Sequence, residues 1–143
     1  MKLRLFFLAL IFSIGAGVNA LAQTNDGPVV VTAVAPVYPA IAVSAHATGD
    51  VIVNVKIDAN GRVISADAVD GHALLKAASV STARRWKFVP VNEASAERTA
   101  VLTFTFLEDN ANLREEDRTA VFLPPYKVQV LPPRYVLQTN TVH

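Results

Sequence analysis

Pro36-Val-Tyr-Pro-Ala-Ile-Ala42, then Gly49-Asp-Val-Ile-Val-Asn-Val-Lys-Ile-Asp-Ala-Asn-Gly-Arg-Val63, then Trp86-Lys-Phe-Val-Pro90: the reading of these three pieces decides the fold. Pro39 sets its own φ and drives Tyr38 extended, so the chain arrives rigidly. Small apolar residues from Ala40 to Ala47 follow, which predicts a short helix with Pro39 at its first turn. Val51, Val53, Val55 and Ile57 alternate with Ile52, Asn54 and Lys56, the period-two pattern of a half-buried strand. Asn60-Gly61 is a hairpin turn signal, because both residues tolerate positive φ. Arg62 to Val69 returns as a second strand, with either Ile64, Ala66 and Ala68 or Val63, Ser65 and Val69 facing inward.

Working outward, Asp70-Gly71-His72 breaks that strand, and a helix is expected from about Ala73 to Arg85. Leu75, Ala78, Ser79, Thr82 and Trp86 fall on one stripe at helical spacing, and their mostly small side chains let the helix lie close to a sheet. Arg84 and Arg85 suit the negative end of the helix dipole, and Pro90 prevents continuation. Thr99 to Leu107 is a third strand with Leu102, Phe104 and Phe106 on its core face. Upstream, Pro28 to Val34 is a short strand or an extended approach. Downstream, Glu108 to Arg118 is a charged loop or short helix. The final stretch repeats Leu-Pro-Pro, at Leu123 and at Leu131, each followed by a Tyr and aliphatic residues. Paired prolines favour extended backbone, so this tail is an arm that lies as an edge strand on its own sheet or on a neighbour's. The expected architecture is α+β: a three-stranded antiparallel sheet packed by two helices, with an extended C-terminal arm.

Lys2 and Arg4 precede the apolar run Leu5 to Val18, and Val18-Asn-Ala-Leu-Ala22 supplies small residues before a break. This is the pattern of an export signal cut after Ala22. The run is shorter than the roughly 18 residues of a spanning helix, so an uncleaved inner-membrane anchor is the lesser reading. The expected organisation is a signal peptide over 1–22, a leader over 23–35, a domain over 36–107, and a charged loop with an extended tail over 108–143. The mature chain then carries 11 basic and 12 acidic residues, which gives no reason to expect nucleic acid or anionic lipid as a partner. With no Cys, the core holds by packing alone. The chain is expected in the periplasm, without stable membrane insertion once the signal is removed.

The residues placed so far resemble the C-terminal domain of TonB-type energy transducers. The resemblance rests on Tyr38, Pro39, Ala42, Gly49, Val51, Val53, Ile57, Asp58, Gly61, Val63, Gly71, Leu75, Ala78, Trp86, Lys87, Phe88 and Pro90, in that order, and on the helix start Gly71-His72-Ala-Leu-Leu75. It spans Pro36 to Leu107, roughly half of the chain. A full transducer of that family has an uncleaved membrane helix, a His within it tied to the inner-membrane motor, and a long Pro-rich linker. Here the apolar run holds no His, and about 15 residues separate the expected cleavage from Tyr38. The resemblance therefore implies the docking module rather than energy transduction.

That resemblance also implies a site. The strand after the Trp helix offers a free edge on which a short segment of a TonB-dependent outer-membrane receptor adds as another strand. Unpaired N–H and C=O groups give such an edge affinity without demanding particular side chains. In this chain the edge is Thr99, Val101, Thr103, Thr105 and Leu107, with Tyr38 and Pro39 as further contacts. Alternatively the Leu-Pro-Pro tail already covers the edge, or the tail pairs with a second copy and builds a homo-oligomer. Tyr38 otherwise packs on the hairpin, Trp86 belongs to the core, and Arg84, Arg85 and Lys87 form a solvated helix end. An enzyme is not expected, nor any cofactor or metal. His46, His72 and His143 lack the spacing of a zinc site, and Asp58-Ala-Asn-Gly61 lacks the closing acid of a calcium loop, with Val69 in its place.

Overall fold

A computed structural model describes residues 27–110, 112–114, 116 and 118–133. The expected export signal, its cleavage point and the first residues of the leader, 23–26, lie outside the described residues, as do the end of the tail and His143. The described elements are β1 (Val30–Thr32), α1 (Ala40–Ser44), β2 (Gly49–Ile57), β3 (Val63–Asp70), α2 (Ala73–Ala83), β4 (Lys87–Phe88), β5 (Arg98–Phe106), β6 (Val121–Leu123) and β7 (Lys127–Val130). Among the described residues no helix is long and apolar enough to cross a membrane.

The central hairpin forms as its pattern requires. Val51, Val53, Val55 and Ile57 are buried, while Asn54 and Lys56 face solvent. The turn is closed by Asp58, whose N–H donates to the Arg62 carbonyl at 2.9 Å and whose carboxylate accepts from the Arg62 N–H at 2.9 Å. Gly61 has φ 82°, and a Cβ there would run into the Phe88 carbonyl, so only glycine lets the Trp-Lys-Phe segment close on the turn. The two inward-facing sets proposed for β3 both fail as single alternations. The register slips by one residue at Ile64 and again at Val69, so those two side chains project outward while Ala66 is buried and Val63 packs against the core.

α2 packs over β2 and β3, with Leu75, Ser79, Thr82 and Ala83 buried. The buried Ser79 hydroxyl donates to the Leu75 carbonyl at 2.9 Å, which satisfies it within the helix. His72 caps the helix, its Nδ1 accepting from the Leu74 N–H at 3.2 Å. Trp86 sits in the core, donating its indole N–H to the Val34 carbonyl at 2.9 Å and meeting Phe104 edge to face at 6.0 Å between centroids.

The α+β fold with two helices stands, but the sheet is larger than the three antiparallel strands expected. Its order is β3-β2-β5-β7-β6, and β7 runs parallel to β5. β1 and β4 form a separate two-stranded ladder. The arm folds because Val128 and Val130 alternate with Lys127 and Gln129. Both valines are buried, and Phe122 of β6 meets Trp86 edge to face at 5.9 Å. β6 and β7 form a hairpin joined through Pro124-Pro125, so the first Leu-Pro-Pro is a turn rather than an extended run.

Candidate docking edge

β5 is paired along its whole length with β2, from Gly49↔Phe106 to Ile57↔Arg98. Its other side is divided. From Thr103 to Phe106 it pairs with Lys127 to Val130, and the flanking bonds run from the Thr103 N–H to the Tyr126 carbonyl and from the Leu107 N–H to the Val130 carbonyl, both 2.9 Å. Alternate residues of a strand turn their backbone groups to the same side, so Thr99 and Val101 project theirs along this same edge. β7 begins opposite Thr103, which leaves Thr99 and Val101 with no strand beside them among the described residues. The five edge residues inferred from the sequence are thus collinear, with Thr103, Thr105 and Leu107 beneath the tail and Thr99 and Val101 clear of it.

Tyr38 and Pro39 lie elsewhere in the architecture. The Tyr38 ring is 4% exposed and meets Phe106 edge to face at 5.0 Å. Its hydroxyl donates to the Ala47 carbonyl at 2.6 Å and lies 3.4 Å from the Leu107 carbonyl. Burial, and secondarily the negative charge of Glu108, push the phenol above its ordinary pKa of 10.0. Tyr38 therefore holds the start of α1 against the end of β5 from inside. Pro39 is the N-cap of α1 and is half-buried.

The tail is held by more than its ladder. The Arg118 side chain, 3% exposed, pairs with the Asp109 carboxylate and donates to the carbonyls of Asn110 at 2.9 Å and Pro132 at 3.0 Å. It thus ties the loop that leaves β5 to Pro132, just beyond the end of β7. At the other end the Tyr126 hydroxyl donates to the Pro28 carbonyl at 2.8 Å, and burial raises the Tyr126 pKa. Sequence reasoning missed Arg118 and Tyr126, since both bond to backbone carbonyls far along the chain and leave no local pattern. The strand Lys127-Val-Gln-Val130 did carry a period-two signal, obscured by the prolines around it.

Asp58-Ala-Asn-Gly61 is the hairpin turn, and among the described residues no group of three His, Asp or Glu side chains is placed to hold a metal. Arg84, Arg85 and Lys87 are exposed where α2 ends, as a solvated helix terminus would be.

No curated protein matches the chain. Among solved structures, the solution NMR structure of the Pseudomonas aeruginosa TonB C-terminal domain aligns with a TM-score of 0.46 at 20% identity, covering 64% of this chain and 95% of that one. The family model described as Gram-negative bacterial TonB protein C-terminal matches residues 34–107, from the segment that receives the Trp86 indole to the residue after β5. That span exceeds half of the sequence, and the chain belongs to the TonB C-terminal family.

Proposed function

We propose that this domain docks a segment of another envelope protein by strand addition along β5, in the periplasm, after removal of its signal peptide. Membership of the TonB C-terminal family makes the chain a TonB-like domain that works in the cell envelope through protein contacts. The observation that supports the finer reading is the pairing of β5 with β7: this edge already accepts an extended segment in parallel, through backbone bonds, with apolar residues at alternate positions reaching the core. An incoming segment finds Thr99 and Val101 open and extends toward Leu107 as the tail yields. The proposed occupant is a segment of a TonB-dependent outer-membrane receptor.

Titration of the full chain with labelled peptides from such receptors tests the proposal. Saturable binding that perturbs the amide resonances of Thr99, Val101 and Thr103 is the expected result. Absence of binding at high micromolar peptide would overturn it.

A second reading is self-association through the arm. It is favoured by β6, the outermost strand, whose Val121, Phe122 and Leu123 are all exposed at the sheet edge.

A further inference from the structure

The near balance of charge over the mature chain conceals how unevenly that charge is spread. Residues 28–49, which carry α1, and 71–92, which carry α2, contain no Asp or Glu. The second stretch holds Lys76, Arg84, Arg85 and Lys87, and an antiparallel bridge sets Arg62 beside Lys87. None of these five cations pairs with an acid among the described residues. Acids border the region without entering it: Asp70 just before α2, Asp58 in the turn beside Arg62, Glu93 beyond Pro90, and Glu108 and Asp109 next to Val43 and His46. On the outer side of α2, Lys76 and Arg84 flank a shallow groove of ≈ 470 Å³ whose remaining lining is Ala77, Val80 and Ser81. α1 touches α2 and brings Val37 and Ile41, which are 78% and 65% exposed. They are the two most exposed large aliphatic residues among those described.

We propose that this acid-free helical surface rests on an anionic phospholipid bilayer, with the five cations among the headgroups and Val37 and Ile41 at the boundary with the acyl chains. A peptide partner needs an open strand edge or a deep groove, and the two helices offer neither. Lys76 and Arg84 are about 12 Å apart along the helix, and their aliphatic stems lie beside projecting aliphatic side chains. That arrangement matches a plane of negative charge over hydrocarbon. Unpaired like charges repel one another in the free protein, and anionic headgroups relieve that repulsion. Each Lys or Arg brought near such a surface adds to affinity, so a domain of almost no net charge associates peripherally, without a spanning helix. Docking in this way uses neither β5 nor the arm, and stands independently of strand addition.

The test uses the full chain and vesicles of phosphatidylcholine with or without phosphatidylglycerol. The run Leu5 to Val18, where retained, enters lipid of either charge, so the readout is local. An environment-sensitive dye is attached through Ile41→Cys or, separately, Ser81→Cys, and compared with Asn54→Cys on the solvent side of β2, in a chain that has no other Cys. The dye is expected to shift to the blue at positions 41 and 81 but not at 54, only when phosphatidylglycerol is present, and less as salt is raised. Label at position 81 leaves Ile41 in place, so the result does not hang on losing that side chain. Replacing both arginines, Arg84→Gln with Arg85→Gln, should raise the lipid concentration at half response by about tenfold or more. All these positions lie on the surface, and circular dichroism checks that each variant folds. Absence of a shift at 41 and 81, equal shifts at all three positions, or a response indifferent to lipid charge and to the two arginines would overturn the proposal. A chain that ignores the vesicles yet binds polyglutamate or DNA through the same arginines would overturn the membrane as the partner.

Discussion

Tyr38 joins two parts of the chain that are distant in sequence: its hydroxyl reaches the carbonyls of Ala47 and Leu107, and its ring packs on Phe106. Tyr38→Phe keeps the ring and removes the hydroxyl, leaving the Ala47 carbonyl without that partner. The expected loss is about 1–2 kcal/mol in urea unfolding at neutral pH. The phenol also sets a pH limit. Its folded-state pKa lies above the unfolded value, so its stabilising contribution is complete below about pH 10 and is lost as pH rises through the folded value. Unfolding followed from pH 8 to 12 should show stability falling above about pH 10, with a shallower fall in Tyr38→Phe. An equally steep fall would assign the alkaline limit to other groups, with Tyr126 the first candidate. Residues such as Tyr38 and Trp86 were legible because a proline or a helical stripe announces them. Arg98 and Arg118 were not, because Arg98 bonds a carbonyl 40 positions away and Arg118 gathers a carboxylate and two carbonyls 8 to 14 positions away.

At the level of elements, the arm competes with any incoming strand. Val128 and Val130 are buried, and burying an aliphatic side chain of this size is worth roughly 1.5–3 kcal/mol. A partner that displaces β7 must therefore bring apolar residues at alternate positions, as β7 does. Arg118 adds to the arm's hold through Asp109, Asn110 and Pro132. Arg118→Met should loosen the arm by about 1.5–3 kcal/mol, the range for hydrogen bonds to charged groups. Amide hydrogen exchange reads this directly. Protection of Thr103 and Leu107 should fall by an order of magnitude or more, at about 1.4 kcal/mol per factor of ten, while the β2–β3 amides keep theirs. A uniform loss across the sheet would mean that Arg118 supports the whole fold rather than the arm. The strands β2, β3 and β5 were readable from alternation and a turn signal. The bulges at Ile64 and Val69 were not, since they depend on how β3 meets β2 and the β4 segment. The choice of β7's partner was not either, because a period-two pattern names a strand and leaves its neighbour open.

Across the whole molecule, the two outer edges of the five-stranded sheet differ in kind. β3 is bulged twice and carries Asp67 and Asp70, features that discourage pairing with another chain. The opposite side ends in the arm, which covers half of β5 and itself ends in the exposed β6. Removing residues 119–143 separates the two readings of that side. If the arm is an internal cover, the shortened chain should bind receptor-derived peptides more tightly and remain monomeric by light scattering. Its stability should be lower, through loss of Phe122 from Trp86 and of the two buried valines. If the arm builds an assembly, the full chain should be oligomeric and the shortened one monomeric, with no gain in peptide affinity.

The central claim is that β5 is the docking edge and that the chain's own β7 occupies it in the free protein. Thr105 and Gln129 stand opposite each other across the β5–β7 ladder, and the chain contains no Cys. Neighbouring strands lie about 4.8 Å apart, within the Cα separation a disulfide spans. The variant Thr105→Cys with Gln129→Cys can therefore lock the arm under oxidation and release it under reduction. The measurement is the affinity of one receptor-derived peptide for the two redox forms of the same protein. At least about tenfold weaker binding when oxidised, restored on reduction, is the expected result. Equal affinity in both forms would contradict the account, because the peptide would then dock somewhere other than the edge that β7 covers.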